Sequence, residues 1–413
     1  MSTAAKLPDQ ARGDAAFLRL VTDVEVRRSP YETLAEVRTY APVLESSLGA
    51  WVLTRYDDCY AVLRDPRLGK DWNGFVMRSG LTDWRDHPSL AYGESSLLFA
   101  NPPRHTRLRR LVARAFTPRT VDRLKPRMAA TVDALLDPLA EAGGGDLLDA
   151  LAFPLPVSVI GDLLGVPEAD RAPFRDAVRA NTRTLEMSVT PEDVAAADAA
   201  ATWMVDYFRV LLAEKRRSPD DAMMSGMAQV DDGGDRLTDE EIVRMSLLLF
   251  GAGFETTTNL IGNGVHHLLR HPDQLALLRS APSRMANAVE ELVRYDGSIL
   301  LSSRSAFEEV EVAGHRIPEG GLVLTILGAA NRDPAKYRDP DRLDVTREGV
   351  EPLSFGSGIH YCLGANLARA EAALAIGRLL ERFPSIEAAG EARFRDQFVF
   401  RGLESLPVAC RAA

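Results

Sequence analysis

Cys362 lies in the run Leu353-Ser354-Phe355-Gly356-Ser357-Gly358-Ile359-His360-Tyr361-Cys362-Leu363-Gly364, and residues 365–378 that follow have the spacing of an amphipathic helix. A cysteine at a helix N-terminus meets unpaired amide N–H groups and the positive end of the macrodipole. Both favour thiolate over thiol, and the three glycines let the loop turn its amides towards the sulfur. Metal ligation is the chemistry this arrangement suits. A buried cysteine by itself is more often a small hydrophobe. Cys59 and Cys410, which lie in no comparable loop, read that way.

Three other groupings have chemically suggestive spacing. Glu255 and Thr256 directly follow Gly251-Ala252-Gly253-Phe254, within a helix whose residues 242–250 are apolar in nearly every direction. Thr238 and Glu241 give that helix a capping-box start. A helix apolar all round runs through the protein interior. Its two glycines cost helix stability but let another body approach the backbone. The polar pair is either a satisfied packing contact or a site. Glu291 and Arg294 stand three apart, a spacing that by itself usually means a solvated helix face. His105 and Arg109 stand four apart and share a helix face.

The elements that must position these groups are mostly helical. Residues 102–270 carry helical spacing with breaks at Gly143-Gly144-Gly145, Pro154, Pro173, Pro219 and Gly233-Gly234. Strand signals fall at residues 51–54, 309–312, 321–326 and 397–400. The expected fold is mainly α with small β-sheets, with residues 1–14 disordered.

Composition narrows the function classes. The chain of 413 residues is 46% hydrophobic and 26% charged, an ordinary globular balance, and its net charge of −10 argues against nucleic-acid binding. Three widely spaced cysteines build neither a disulfide framework nor a four-cysteine metal site. The polar N-terminus lacks the apolar core of a secretory signal, and the most apolar run, residues 245–254, is too short to span a membrane. A cytoplasmic protein without membrane attachment is expected.

The loop Phe355-Gly356-x-Gly358-x-His360-x-Cys362-x-Gly364 resembles, at every fixed position, the haem-binding signature of the cytochrome P450 monooxygenases. The likeness extends along the chain in the family's order. Ala252-Gly253-Phe254-Glu255-Thr256-Thr257 is similar to the central-helix motif. Glu291-Leu292-Val293-Arg294 is similar to the E-x-x-R helix, and Pro340-Asp341-Arg342-Leu343 to the meander motif. C-x-x-C-H, the covalent attachment signal, is absent.

The resemblance implies the cytochrome P450 fold over a single domain spanning residues 1–413, and a non-covalent b-type haem whose iron is held by Cys362. It implies propionate or ring contacts from His105, Arg109, Arg304, His360, Phe355, Gly364 and Ala252. Glu255 and Thr256 would face the oxygen-binding side and handle protons, with Thr257 structural. Glu291, Arg294 and Arg342 would form a buried network. Leu248, Ala252, Leu300 and Phe400 match substrate-facing positions, with more expected between Trp72 and Leu98 and between Phe174 and Met187; the matched four favour a neutral apolar substrate. Where relatives usually have a proline after the E-x-x-R helix, this chain reads Tyr295-Asp296-Gly297-Ser298-Ile299.

O2 would be the co-substrate. NAD(P)H would supply electrons through ferredoxin reductase and a ferredoxin, the latter docking on Arg107, Arg110 and Arg369. High Ala and Arg usage resembles actinobacterial natural-product tailoring members, implying hydroxylation or epoxidation of a secondary metabolite. Oxidative coupling or another non-oxygenating oxidation on the same fold is the alternative, and a haem-binding sensor a further one.

Overall fold

The computed structural model describes residues 8–78 and 80–411. The helical stretch read from the sequence folds as Arg104–Val112, Pro118–Ala142, Pro154–Leu164, Phe174–Arg183, Pro191–Arg217 and Asp239–Arg270, with Met285–Tyr295 and Ala365–Arg382 further on. Prolines at 118, 154 and 191 open three of these helices, where their missing N–H costs nothing.

Asp239–Arg270 is the central helix. Its expected capping box is present: Glu241 N–H donates to Thr238 Oγ1 at 3.2 Å and Thr238 N–H to the Glu241 carboxylate at 2.9 Å. Ile242, Val243, Met245, Leu247 and Phe250 are buried in the largest hydrophobic core. The helix packs against Pro154–Leu164, Pro191–Arg217, Met285–Tyr295 and Ala365–Arg382. Gly253 permits the first of these contacts, since a Cβ there would come within 3.1 Å of the Ile160 side chain.

A five-stranded sheet orders its strands Val43–Glu45, Ala50–Leu53, Leu322–Ile326, Leu301–Ala306 and Leu68–Gly69. Only the pairing of Ala50–Leu53 with Leu322–Ile326 is parallel. All five residues of Leu322–Ile326 are buried, which is why it reads as a continuous apolar run rather than an alternating one. The expected strands at 51–54, 309–312 and 321–326 appear within a residue or two.

Three expectations are corrected. Residues 8–14 are not disordered: helix Pro8–Thr22 buries Gly13, Asp14, Ala16, Phe17 and Leu20, and Asp14 accepts from Ser46 Oγ and Ser47 N at 2.9 Å each. Residues 1–7 lie outside the described residues. No strand spans 397–400; the strands there are Arg393–Phe394 and Leu403–Ser405. Glu186 takes the N–H groups a ladder would need, its carboxylate accepting from Phe398, Val399 and Phe400 at 2.8, 2.9 and 3.1 Å.

The third correction concerns Arg342. Glu291 and Arg294 do form a fully buried bidentate pair, at 2.7 and 2.8 Å, and Arg294 also donates to the carbonyls of Asn331 and Pro340. Arg342 is exposed and contributes only its carbonyl, 3.2 Å from Arg294 Nη2. The second guanidinium on Glu291 belongs to Arg347, at 3.2 Å. The turn at residues 339–342, with Asp339 at a φ of 44°, sends the Arg342 side chain outward; the next turn, at 344–347, brings Arg347 back.

Candidate active site

The cysteine loop is moored before it reaches the sulfur. Ser354 Oγ donates to the Val293 carbonyl at 2.8 Å and accepts from Asn331 Nδ2 at 2.7 Å, while Asn331 Oδ1 accepts from Leu353 N at 2.7 Å. The loop is thereby fixed to the helix that carries Glu291 and Arg294. Gly358 has a φ of 67°, and a Cβ there would meet the Leu63 carbonyl at 2.6 Å, so only glycine fits this turn. Cys362 N–H donates to the Phe355 carbonyl at 2.8 Å, closing the loop, and helix Ala365–Arg382 begins three residues on.

Cys362 lines an interior cavity of about 430 Å³. For the sulfur alone the expected low pKa is reversed. Burial pushes the thiol up, opposed by the Gly364 amide and by the Arg109 and Arg369 guanidiniums. Those opposing groups are placed to favour a sulfur anion once a metal replaces the proton. Arg369 also lies 4.3 Å above the Phe355 ring.

The same cavity gathers a basic cradle. His105, Arg109 and His360 line it, with Phe355, Gly356 and Gly364. The rings of His105 and His360 are 4.4 Å apart, and both nitrogens of His105 and Nε2 of His360 are buried without a hydrogen-bond partner. Arg109 donates to the Tyr361 carbonyl at 2.5 Å. Arg304 is buried behind the lining, donating to the Ser303 carbonyl at 2.8 Å and to Ser302 Oγ at 3.0 Å. Burial pulls Arg304 down to about 10; burial and then the neighbouring Lys70, Arg304, His105 and Arg109 pull His360 down to about 2.

Among the described residues none of these groups has a carboxylate partner. Buried cations and orphaned imidazoles without an acid call for an anionic ligand. A planar macrocycle with two carboxylate arms and a thiolate-seeking iron fits this donor set, so the residues suit haem. Sequence reasoning missed Lys70, which joins the cradle. A lone lysine after Gly69 carries no pattern, and only the fold brings it to Ser302.

Across the cavity the central helix presents Leu248, Gly251, Ala252, Gly253 and Thr256. Thr256 Oγ1 donates to the Ala252 carbonyl at 2.8 Å, and the Thr256 carbonyl accepts from Ser298 Oγ at 2.6 Å. Thr257 Oγ1 bonds the Gly253 carbonyl at 3.0 Å. Glu255 departs from expectation. It is buried and ion-paired with Arg395, on the side of the helix turned from the cavity lining, and Arg395 also holds Asn259 Oδ1.

Phe400 and Leu248 line the cavity as expected, and so do Trp72, Leu97, Val178 and Leu185 from the two anticipated segments. Leu300 does not. Its side chain lies near Gly328 and belongs to the hydrophobic cluster that also holds Phe17, Leu34 and Leu324, and its neighbours Ile299 and Leu301 line the cavity instead. In extended backbone a shift of one residue exchanges faces. The three arginines expected to present free charge are committed within the chain: Arg107 to Asp235 and Glu241, Arg110 to Asp232 and Asp235, Arg369 to Glu290.

Comparison with known proteins agrees with this geometry. A family model described as Cytochrome P450 matches residues 194–281 and 284–396. The chain is 42% identical over 413 residues to Cytochrome P450 107B1 of Saccharopolyspora erythraea, covering 98% of this chain and 99% of the relative. It is 40% identical over 389 residues to 6-deoxyerythronolide B hydroxylase of the same organism, covering 92% and 95%. Among solved structures, P450BioI in complex with hexadec-9Z-enoic acid ligated acyl carrier protein superposes with a TM-score of 0.89 at 37% identity, covering 94% of this chain and 100% of that one.

Proposed function

The chain belongs to the cytochrome P450 family, and from that premise we propose that it inserts one oxygen atom from O2 into a small, largely apolar molecule of secondary metabolism. The observation that carries this reading is that Cys362, the basic side chains of Lys70, His105, Arg109 and His360, and Thr256 face one cavity. Haem is the family's cofactor; when bound it supplies the iron at which O2 is activated. Cys362 would hold that iron through its sulfur, and His105, Arg109, Arg304 and His360 would hold the propionates. Phe355 and Gly364 line the cavity with Cys362, and Ala252, small and on the facing helix, would leave room for the cofactor. Thr256 holds a proton at Oγ1 where the reaction needs one.

With the cradle committed to the cofactor, the substrate meets Tyr92, Leu98, Leu248, Ile299, Val399 and Phe400. This lining selects a neutral, apolar molecule. The relative named as a hydroxylase of 6-deoxyerythronolide B favours hydroxylation over epoxidation. Electrons come from NAD(P)H through a ferredoxin reductase and a ferredoxin. The exposed Ile359 and Tyr361 beside Cys362, rather than the paired arginines, offer the ferredoxin its contact.

The test joins spectrum and isotope. The reduced carbon monoxide complex should show the thiolate-haem band, and Cys362→His should lose it while Cys59→Ser and Cys410→Ser keep it. Turnover under ¹⁸O2, on a ligand found by its shift of the haem spectrum, should place one labelled oxygen in the product. An unchanged spectrum in Cys362→His, or an oxidised product without label, overturns the reading.

A further inference from the structure

Lys70 is buried, yet among the described residues its ammonium has a single polar contact, Ser302 Oγ at a long 3.4 Å, and otherwise faces the Phe99 ring at 5.6 Å. Its backbone is fixed on both sides by Asn101, whose Oδ1 accepts from Lys70 N at 2.8 Å and whose Nδ2 donates to the Lys70 carbonyl at 2.6 Å. The side chain is therefore delivered into the cavity by design of the backbone, and it is part of the lining. Among the described residues the charged group beside it is Arg304, a second cation, which shares the Ser302 hydroxyl. A lysine buried there with no anion loses its hydration and is repelled by Arg304, and an anionic ligand reaching the cavity would relieve both costs.

Resting on the haem-thiolate reading of the site, we propose that the Lys70 ammonium forms a direct ion pair with a haem propionate, as a fifth basic group beside His105, Arg109, Arg304 and His360. Arg109 and Arg304 already spend N–H groups on the carbonyls of Tyr361 and Ser303. Lys70 is the least committed cation of the set, with three N–H donors and one weak contact. Its partner Ser302 also accepts from Arg304 at 3.0 Å, so the hydroxyl holds the two cations side by side, as a shared carboxylate requires.

The experiment compares wild type, Lys70→Met and Lys70→Arg as haem-loaded proteins; the wild-type carbon monoxide spectrum first establishes the thiolate site independently. Lys70→Met should lose haem to apomyoglobin at least about tenfold faster, as expected when a buried charge partner is removed, and its reduction potential should move negative. Lys70→Arg should restore most of both. Reconstituted with haem dimethyl ester, whose arms carry no charge, wild type and Lys70→Met should become alike. Lys70→Gln serves where the methionine variant does not accumulate. Haem loss and potential equal to wild type would overturn the proposal. So would a defect confined to binding of palmitate and absent for its methyl ester, which would make Lys70 a group for anionic substrates.

Discussion

The carboxylate of Glu255 is held by the guanidinium of Arg395, 140 residues further along the chain. Its neighbour Thr256 faces the cavity. The acid and the alcohol are therefore adjacent in sequence but turned apart, and any proton handed from one to the other requires Glu255 to leave Arg395. Glu255→Gln should slow turnover roughly 100-fold and change the solvent isotope effect, the usual signature of a lost proton-transfer group. Thr256→Ala should still bind haem and substrate, because neither needs the hydroxyl, while reducing equivalents are diverted to hydrogen peroxide. Product and peroxide per reducing equivalent are the readouts; wild-type rate and coupling in both variants would remove the proton role from this pair.

Glu291 neutralises Arg294 and Arg347, not Arg342. Glu291→Ala leaves two guanidiniums facing a site without an acid, a loss of about 3–5 kcal/mol. Little haem-loaded protein should accumulate. Arg347→Ala should also lower the thermal midpoint, whereas Arg342→Ala, which removes only an exposed side chain, should stay within about 0.5 kcal/mol of wild type. An Arg342→Ala variant as damaged as Arg347→Ala would return the network to the meander motif's own arginine.

The segment carrying Phe400 is held over the cavity by the Glu186 carboxylate, which accepts three successive backbone N–H groups. Glu186→Ala leaves those amides without their acceptor, about 1–3 kcal/mol for each that stays buried. The expected outcome is a normal carbon monoxide spectrum with faster dissociation of cavity ligands, measured by stopped flow. Loss of the spectrum itself would mean that the contact supports the whole fold rather than the cavity wall.

The sequence was most legible where chemistry is carried by one contiguous segment. The cysteine loop and the Glu291–Arg294 pair each lie within a dozen residues, and the capped central helix is one unbroken segment of 32, so spacing and glycine placement declare them. Illegible were groups whose partner is distant in the chain. Arg395 reaches Glu255, Glu186 reaches Phe398 to Phe400 across more than two hundred residues, and Lys70 meets Ser302 only through the sheet. Leu300 was misplaced for a different reason. In extended chain adjacent residues face opposite ways, so an alignment correct to within one residue still selects the wrong side.

Asp296 follows directly on the helix of Glu291 and Arg294, where the chain turns towards Gly297 and Ile299. It is fully buried, bonded to Arg401 Nε and His267 Nε2 at 2.7 Å each and to the Tyr31 hydroxyl. Burial by itself would raise its pKa, but Arg401, His267 and Tyr31 together hold it well below the usual carboxylate range. A depressed folded pKa contributes stability that is complete above the unfolded value, about 3.9, and is lost as pH falls towards the folded one. His267 is lowered by burial despite Asp296, so the unfolded chain takes up that proton first and stability also declines as pH drops below about 6.5. Asp296→Asn should therefore cost about 3 kcal/mol at pH 7 by leaving Arg401 without its acid, and the difference from wild type should narrow below about pH 4. Urea midpoints of the haem-loaded proteins between pH 3 and 8 measure this; a gap that stays constant across the whole range would show that the carboxylate's charge is not what Asp296 contributes.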